Sequence, residues 1–369
     1  MFSNFKRHFI DWRNQLVTSQ KFQKWAGNTP IIRNIARKDA EKIYDLMAGF
    51  VYSQTLLAMV ELDLFGYLKE RSLSATELSN ETQIPKRNIT ILCQSAVAIK
   101  MLERVGDEQY ALSRLGAAVI GVDGLTDMIR HHRLFYEDLV DPVRLLKNEA
   151  DTHMSKYWPY VLSDQSGSIK SHVAGKYSDL MRSSQKLVAE ETLRLISFSS
   201  TARLLDIGGG TGAFIEEVSK VTNGISFCLF DLPQVIEKAK GFPFYENNNQ
   251  FETAAGSFVL DKIPVGYDTI TLIRVLYDHN DDVVITLLKK IYDALPVAGR
   301  IIISEPMSGG KKPIRSGDSY FGFYTMAMST GRPRSPQEHQ YFLNKVGFRT
   351  VKKHKGTREF ITQVISAQK

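Results

Sequence analysis

The feature that most constrains this chain is a short apolar run that ends in an acid and leads into a set of glycines. The run Arg203–Ile207 contains Asp206, and glycines stand at 208, 209, 210 and 212 before an apolar, helix-like segment begins. Glycines at the carboxyl end of a strand let the backbone approach a ligand closely where a helix starts. The run therefore predicts an α/β fold with a ligand held at a strand-to-helix turn.

Short apolar runs alternate with helical segments from residue 203 onward, which is the pattern of a doubly wound α/β sheet. The chain after that point is long enough for one seven-stranded sheet. The predicted strands are 203–207, 226–231, 251–255, 268–273, 300–304, 348–354 and 360–366.

Residues 40–120 predict a smaller helical domain that resembles a winged helix. The spacing Ser74-Ala75-Thr76-Glu77 is that of a helix capping box, and Pro85 suits the first turn of the next helix. Gly106 and Asp107 form the turn of a predicted hairpin. A DNA-binding role is disfavoured because the helix from Lys86 is apolar around most of its circumference, whereas a groove-reading helix needs polar side chains. A buried or dimer-forming helix fits better.

The basic charge is concentrated at the start of the chain. Residues 1–42 hold nine basic and three acidic side chains, a net +6 of the total +7, interleaved with phenylalanine and tryptophan. This mixture suits a helical arm that packs on a partner subunit, or one that contacts an anionic membrane surface; nucleic acid is the third alternative. The chain has two distant cysteines, no secretory signal and no uninterrupted apolar run long enough to span a membrane. These features predict a cytoplasmic protein, with membrane association left open.

The acids at the ends of the first two predicted strands decide between two candidate ligands, a dinucleotide and S-adenosylmethionine. The spacing Gly208-x-Gly210-x-x-Ala213 also fits a dinucleotide site. However, Asp206 would repel a pyrophosphate, while it suits the ammonium group of S-adenosylmethionine. Asp231 ends the second strand, where a carboxylate can accept hydrogen bonds from both ribose hydroxyls. We therefore expect S-adenosyl-L-methionine as cofactor and no metal.

Further predicted cofactor residues follow the other strands at the same edge of the sheet. Phe258 is placed to cover an adenine face, with core packing as the equal alternative, and Arg274 ends the fourth strand. The complete predicted cofactor site is Asp206, Gly208, Gly210, Gly212, Asp231, Leu232, Gly256, Ser257, Phe258 and Arg274.

With these motifs, the chain resembles the plant-type small-molecule O-methyltransferases. The resemblance rests on Leu204–Phe214, Phe230–Pro233, Ala294–Pro296 and Gly299-Arg300, and it spans residues 40–366. It implies a class I methyltransferase sheet, a winged-helix-like dimerisation domain and a homodimer. The implied domains are an arm at 1–39, a dimerisation domain at 40–120, a helical linker lining the substrate pocket at 121–200 and the cofactor domain at 201–369.

A narrower resemblance is to the bacterial carotenoid O-methyltransferases that methylate a tertiary hydroxyl of hydroxyneurosporene and demethylspheroidene. It rests on Asp11–Asn14, Ala48–Gln54, Asp138–Pro142, Tyr320–Tyr324 and Gly331–Ser335. It implies a small hydrophobic acceptor, an acyclic hydroxycarotenoid.

The chain departs from the plant pattern at the general base. The plant run His-Asp-Trp-Ser-Asp aligns with Tyr277–Asp281, so a tyrosine holds the base position, while Glu305 matches one of the two flanking acids and Pro333 replaces the other. His279 has the better pKa for a base near neutral pH, and Tyr277 is placed to orient a hydroxyl. Tyr277, His279 and Glu305 are thus the candidate catalytic residues. Aromatic residues near 135, 157–160 and 320–324 are candidates for a dry pocket.

Other functions remain open at this point. A missing histidine base also fits methylation of a ring carbon, as in enzymes acting on bacteriochlorophyll precursors. Another small hydrophobic acceptor, such as a phenol, is a further alternative. A nicotinamide oxidoreductase and a winged-helix regulator are the more remote alternatives.

Overall fold

The computed structural model describes residues 2–157, 171–199, 202–246 and 250–369. The chain divides into two compact units, Met1–Ala118 and Val119–Lys369. The helices of the first unit are Phe2–Thr18, Gln20–Asn28, Pro30–Glu61, Leu64–Tyr67, Ala75–Thr82 and Lys86–Ala98, and its strands are β1 Leu73–Ser74, β2 Leu102–Val105 and β3 Gln109–Leu112. The helix Arg114–Ile120 follows these elements and ends past the boundary.

The end of the first unit has the predicted order of helices and hairpin. Ser74 accepts a hydrogen bond from the Glu77 backbone while the Glu77 side chain bonds back to Ser74, so the capping box is confirmed. The hairpin of β2 and β3 is confirmed as well, with Val105 opposite Gln109, and β1 adds to β3 to complete a small antiparallel sheet.

One continuous helix, Pro30–Glu61, crosses the predicted boundary between arm and dimerisation domain at 39/40. Nothing in its sequence stops it, because Pro30 sits at its first turn, where proline is tolerated. Several large apolar residues of this helix lie exposed: Ile31, Ile35, Ile43, Leu46, Met47 and Phe50.

The same helix has the length and apolarity of a membrane span. It is the one such helix among the described residues, and only 17% of its most apolar window is buried in the structure. The sequence criterion of an uninterrupted apolar run misses it because charged residues punctuate its first half. Length and composition alone do not separate a span from a helix that packs on a partner.

The second unit carries the α/β sheet. Its helices are Leu125–Asp138, Pro142–Leu146, His153–Tyr157, Ser171–Leu195, Ala213–Val221, Pro233–Lys240, Pro243–Glu246, Asp281–Ala294, Gly322–Ala327 and Pro336–Val346, with a 3₁₀ turn at Leu276–Asp278 and a π-helix at Arg315–Phe321. Its strands are β4 Arg203–Ile207, β5 Ser226–Asp231, β6 Phe251–Ala255, β7 Thr269–Ile273, β8 Arg300–Glu305, β9 Arg349–His354 and β10 Gln363–Gln368.

Within the described residues these seven strands form one sheet in the order β6-β5-β4-β7-β8-β10-β9. Strands β4 to β8 run parallel, and β10 is antiparallel to both of its neighbours. The strand order reverses between β4 and β7, which opens a crevice at the carboxyl ends of the strands where open α/β sheets bind ligands. The predicted doubly wound sheet is confirmed.

Helices cover both faces of the sheet. Leu205 and Ile207 of β4 pack with the helix Asp281–Ala294 on one face, and Leu204 packs with Phe214 and Ile215 on the other. Burial on both faces explains why these strands read as continuous apolar runs rather than alternating ones. Of the expected aromatic cluster, Phe135 and Tyr136 are described, whereas Trp158, Tyr160 and the side chain of Tyr157 lie outside the described residues.

Candidate active site

The glycine loop connects β4 to the helix Ala213–Val221. Gly208, Gly210 and Gly212 have φ angles of +67°, +60° and +78°, a region that side chains other than glycine rarely adopt. A Cβ at Gly212 would lie 1.7 Å from the Tyr245 hydroxyl, whereas a Cβ at Gly210 would face open space. The loop is therefore closed by Tyr245 at one point and open to a ligand at another.

Asp206 is fully buried beneath this loop. Its Oδ1 accepts a hydrogen bond from Thr271 Oγ1 at 2.6 Å, while its Oδ2 has no hydrogen-bond partner among the described residues. Burial, with a smaller contribution from Asp231, raises the pKa of Asp206 to about 7. A buried carboxylate oxygen without a partner fits a cationic ligand group, and the ammonium group of S-adenosylmethionine is such a group.

Asp231 lies at the end of β5, beside the loop. Its two oxygens accept hydrogen bonds from the backbone of Leu232 at 2.7 Å and of Gly210 at 2.8 Å. Burial raises the pKa of Asp231 to about 6. The structure thus brings Asp206, Asp231 and Gly210 together, as the sequence predicts for the ribose and amino acid ends of the cofactor.

The residues after β6 form the next part of the crevice. The Gly256 backbone donates to the Asp231 carbonyl at 2.9 Å, and Ser257 donates its backbone N–H to Asp261 at 2.8 Å. The Phe258 ring lies 3.6 Å from the position of a Gly208 Cβ. Phe258 is therefore placed to pack against a flat group at the glycine loop.

His279 lies on this same side of the crevice. Its ring packs edge-on against Phe258 with the centroids 5.2 Å apart. Burial lowers the pKa of His279 to about 4, so its imidazole is neutral near pH 7. The geometry groups His279 with Phe258 rather than with Tyr277.

Arg274 stands at the carboxyl end of β7 with a φ angle of +60°, a strained conformation for a residue with a side chain. Its backbone N–H donates to the Ser304 carbonyl at 2.8 Å, and its guanidinium donates to Ser184 at 2.9 Å. Strain of this kind persists where the surroundings fix it, and it is concentrated at functional sites.

Tyr277 contacts a different set of residues from His279. It is 1% exposed, its ring packs edge-on against Phe321 at 5.7 Å, and it faces the side chains of Arg274 and Asp278. Burial raises the pKa of the Tyr277 phenol and, well above its ordinary value, that of the Asp278 carboxyl. Tyr277 is thus a neutral hydrogen-bonding group and not a ready base.

Glu305, which ends β8, holds the turn that carries Tyr277. Its Oε2 accepts hydrogen bonds from the backbone of Leu276 at 2.8 Å and of Tyr277 at 3.2 Å. Its Oε1 lies 3.2 Å from His339 Nε2, and both side chains are fully buried. Glu305 therefore positions the backbone of the turn, a role different from that of the flanking acid in the plant pattern.

Arg182 and Tyr245 reach the loop from elements that carry no motif. Arg182 donates to the Thr211 carbonyl at 3.2 Å and stacks over Phe242 at 4.1 Å, and the Tyr245 hydroxyl donates to the same carbonyl at 3.4 Å. Sequence reasoning did not identify either residue, since both lie more than 25 positions from Thr211, whose carbonyl they contact.

A fully buried arginine fixes the turn from the other side. Arg334 donates to the carbonyls of Leu276 at 2.8 Å and His279 at 2.7 Å, and it forms a bidentate pair with Asp281. Arg334 follows Pro333, the residue that stands in place of the second plant acid. It is a second contributor that sequence reasoning did not identify, although it lies in a quoted motif.

Two histidines and two tyrosines form a further cluster in this unit. His131 Nε2 lies 2.9 Å from the Tyr324 hydroxyl, and His132 Nε2 lies 2.5 Å from the Tyr320 hydroxyl. Phe135 packs edge-on against both tyrosine rings. The pairs join the helix Leu125–Asp138 to the π-helix and the helix that follows it.

Comparisons with known proteins agree with this architecture. An O-methyltransferase domain model matches residues 136–349, and an O-methyltransferase dimerisation domain model matches residues 44–122. The demethylspheroidene O-methyltransferase of Rhodobacter capsulatus is 42% identical over 98% of this chain and 90% of that protein. That of Cereibacter sphaeroides is 40% identical over 96% of this chain and 93% of that protein.

A solved structure supports the fold at lower identity. The human N-acetylserotonin methyltransferase, determined in complex with SAM, superposes with a TM-score of 0.72 at 22% identity, covering 90% of this chain and 97% of that one. The family model covers more than half of the chain, and two relatives exceed 30% identity over nearly all of it. The chain therefore belongs to the O-methyltransferase family, as an enzyme whose methyl donor is S-adenosyl-L-methionine.

Proposed function

We propose that this enzyme methylates a hydroxyl of an acyclic hydroxycarotenoid. The observation that carries the proposal is the near full-length likeness, at 42% and 40% identity, to two demethylspheroidene O-methyltransferases. Relatives at that identity and coverage share the whole of both units, including the parts that would recognise the acceptor.

The chemistry of the site supports an acceptor that needs no strong base. The base position of the plant enzymes holds Tyr277, whose phenol is buried and neutral. A tertiary alcohol has a pKa far above those of tyrosine and histidine, so early deprotonation is excluded. The enzyme instead holds the oxygen in line with the methyl group, and the proton leaves late.

Different residues of the site would bind different parts of the cofactor and the acceptor. When bound, S-adenosylmethionine supplies an electrophilic methyl group on its sulfonium. Asp206 and Asp231 would hold the ammonium and ribose ends, and Phe258 with His279 would pack on the adenine. Tyr277, 1% exposed, would act on the acceptor hydroxyl only through Arg274, whose side chain it faces. Glu305 positions the turn that carries Tyr277, and Leu232, Gly256 and Ser257 complete the crevice.

We also propose that the enzyme works as a homodimer through its first unit. The helix Pro30–Glu61 leaves Leu46 and Phe50 82% and 64% exposed within the matched dimerisation domain. Apolar stripes of this extent on a protein surface mark interaction sites. A second copy of the same helix is the partner that a dimerisation domain implies.

The N-terminal arm is proposed to contact the cytoplasmic surface of a membrane. Phe5, Phe9 and Trp12 recur at helical spacing on the helix Phe2–Thr18 and are at least half exposed. Lys6 and Arg13 flank them. Exposed aromatic side chains beside cations bind anionic lipid surfaces, where a carotenoid acceptor would reside.

A methyl-transfer assay tests the proposed acceptor. The enzyme is given labelled S-adenosylmethionine with hydroxylated acyclic carotenoids in detergent or vesicles, beside a panel of phenols and bacteriochlorophyll precursors. We expect label on the carotenoid oxygen as a methyl ether. Label only on a phenol or on a ring carbon would contradict the proposal and leave the family assignment intact.

A further inference from the structure

Resting on the proposed O-methylation, we propose that Tyr320 is the catalytic group that receives the hydroxyl proton of the acceptor and that His132 receives the phenolic proton of Tyr320. The pair would replace the histidine base that the plant pattern places at position 277. Nothing in the family match assigns a role to either residue.

The geometry of the pair is that of a proton relay. His132 Nε2 lies 2.5 Å from the Tyr320 hydroxyl, within the range of a short O–H···N hydrogen bond. The two rings meet edge-on with centroids 5.5 Å apart. Burial lowers the pKa of His132, so its imidazole is neutral and able to accept a proton at neutral pH.

The backbone around Tyr320 is itself unusual. Tyr320 lies in the π-helix Arg315–Phe321, and Tyr324 follows one turn later with its ring stacked on that of Tyr320 at 5.8 Å. π-Helical turns are rare and occur frequently at functional sites. The wider turn brings Tyr320 and Tyr324 onto one side, facing His132 and His131.

Exposure distinguishes the two similar pairs. His131 is 7% exposed and Tyr324 is 4% exposed, whereas His132 and Tyr320 are only partly buried. An acceptor hydroxyl can approach only a phenol that is not sealed by packing. Tyr320 is therefore the tyrosine of the four-residue cluster that a substrate can reach, and Tyr324 supports it from behind.

Arg274 connects the pair to the methyl-transfer crevice. Burial raises the pKa of Tyr320, Tyr324 and Tyr277, and the positive charge of Arg274 offsets part of that rise on each of them. Val275, the next residue, lies 3.0 Å from the position of a Gly208 Cβ. Arg274 and Val275 thus connect the pair to the glycine loop.

The charged and titratable groups that face the pair come from three further places. Arg274 acts on Tyr320 from the end of β7, His131 acts on His132 from the same helix, and Tyr277 and Asp278 in the 3₁₀ turn act on the neighbouring Tyr324. None of these groups competes for the proton near pH 7: Arg274 is cationic, the pKa of His131 is lowered to about 4, and the pKa values of Tyr277 and Asp278 are raised.

The step balances without an added reactant. A bond forms between the acceptor oxygen and the methyl carbon as the bond from that carbon to sulfur breaks. The acceptor proton moves to the Tyr320 oxygen, and the phenolic proton moves to His132 Nε2. The products are the methyl ether, the uncharged thioether and an imidazolium at His132, which then releases its proton to water.

The test compares Tyr320→Phe and His132→Gln with the matched variants Tyr324→Phe and His131→Gln. A proton-transfer group contributes about 100-fold or more to turnover. We therefore expect kcat to fall about 100-fold in the first two variants, with the KM and Kd for S-adenosylmethionine unchanged. The matched variants should stay within about fivefold of the wild type. Tyr320→Phe within about threefold would overturn the proposal.

The pH profile separates a relay from a merely structural role. In the wild type, kcat should rise with pH as His132 becomes neutral, and this limb should disappear in His132→Gln. Imidazole in solution should restore part of the activity of His132→Ala. An unchanged profile in His132→Gln, or no rescue together with a folded variant, contradicts the relay.

The experiments distinguish a wrong proposal for the proton relay from a wrong proposal for the acceptor. The ratios between variants and wild type are measured on whichever acceptor the wild type methylates. An NMR measurement needs no acceptor: the ¹⁵N resonance of His132 Nε2 should report a hydrogen bond that Tyr320→Phe removes and Tyr324→Phe keeps. A His132 Nε2 resonance that is the same in all three proteins overturns the relay, whatever the acceptor is.

Discussion

Asp206 and Asp231 occupy neighbouring strand ends, and burial raises the pKa of both, to about 7 and about 6. A carboxyl whose pKa is raised by folding contributes stability that is complete below its ordinary value of 3.8 and is lost as the pH rises through the raised value. A cationic ligand reverses this loss because it favours the carboxylate. Cofactor binding should therefore be coupled to proton release at these residues.

We predict that the affinity for S-adenosylmethionine increases as the pH rises from about 5 to about 8 and then levels off, with a proton released from Asp206 near pH 7. Calorimetry in buffers of different ionisation enthalpy measures the released proton. Asp206→Asn should abolish the release at pH 7. Asp231→Asn is the matched variant, expected to weaken binding while keeping that release. Equal proton release in Asp206→Asn and wild type would falsify the assignment of the orphaned oxygen.

The sequence is sufficient to predict residues that stand directly at strand ends, because a parallel sheet brings those ends to one edge. It is not sufficient for Tyr277 and His279, which lie two residues apart yet pack on different rings, Phe321 and Phe258. Their directions depend on the 3₁₀ turn and on the contacts of Glu305 and Arg334 with its backbone. Arg182 likewise reaches the loop only through the tertiary fold.

At the scale of elements, the strands were predictable because burial on both faces makes them continuous apolar runs bounded by turns. Strands β4, β5 and β6 begin and end at the predicted residues. The last strand begins at Gln363, three residues after the predicted start, because the apolar residues Phe360 and Ile361 belong to the preceding turn. Composition alone does not separate apolar turn residues from strand residues.

Among the contacts that join one element to another, we expect removal of Arg334 to lower the free energy of unfolding most. Its guanidinium is fully buried and joins the turn at 276–279 to Asp281 at the start of the next helix. Arg334→Ala leaves the carbonyls of Leu276 and His279 without this donor, at about 1–3 kcal/mol for each buried group, and Asp281 keeps only Arg332. We therefore predict a loss of about 3–5 kcal/mol in the free energy of unfolding. Urea unfolding of the purified variant measures this loss.

The matched variant is Arg332→Ala. Arg332 binds the same Asp281 and also Glu338, but its side chain is 42% exposed. An exposed ion pair contributes about 0–1 kcal/mol, so this variant should remain close to the wild type. Equal losses in the two variants would mean that burial of Arg334 does not govern its contribution.

At the scale of the whole molecule, the exposed apolar stripe on Pro30–Glu61 predicts how copies of the chain associate. Leu46→Glu places a charge at the most exposed apolar residue of the stripe. Central apolar residues of an interface contribute about 2 kcal/mol or more, so we expect the dimer dissociation constant to rise at least about 30-fold. Analytical ultracentrifugation measures it. Val297→Glu, at an 89% exposed residue of the second unit, should remain dimeric, and an unchanged dimer in Leu46→Glu would contradict the predicted interface.

The exposed aromatic and basic residues of the N-terminal arm predict that the enzyme works at a membrane surface. Phe5, Phe9 and Trp12 lie on one stripe of an exposed helix, where insertion of aromatic rings and attraction of the flanking cations add to each other. The wild type should sediment with vesicles that contain anionic phospholipid, less with zwitterionic vesicles, and less again at high salt, because salt screens the attraction.

Replacing these three aromatic residues by serine should abolish vesicle binding and lower methyl transfer to vesicle-embedded acceptor. Transfer to detergent-solubilised acceptor and the Kd for S-adenosylmethionine should not change, because the substitutions lie outside the sheet that carries the cofactor site. Phe360→Ser, at a 67% exposed aromatic residue of the second unit, controls for loss of surface aromatic area. If the serine variant and the wild type bind anionic vesicles equally, the arm does not dock on lipid, and its aromatic stripe is left to pack on protein.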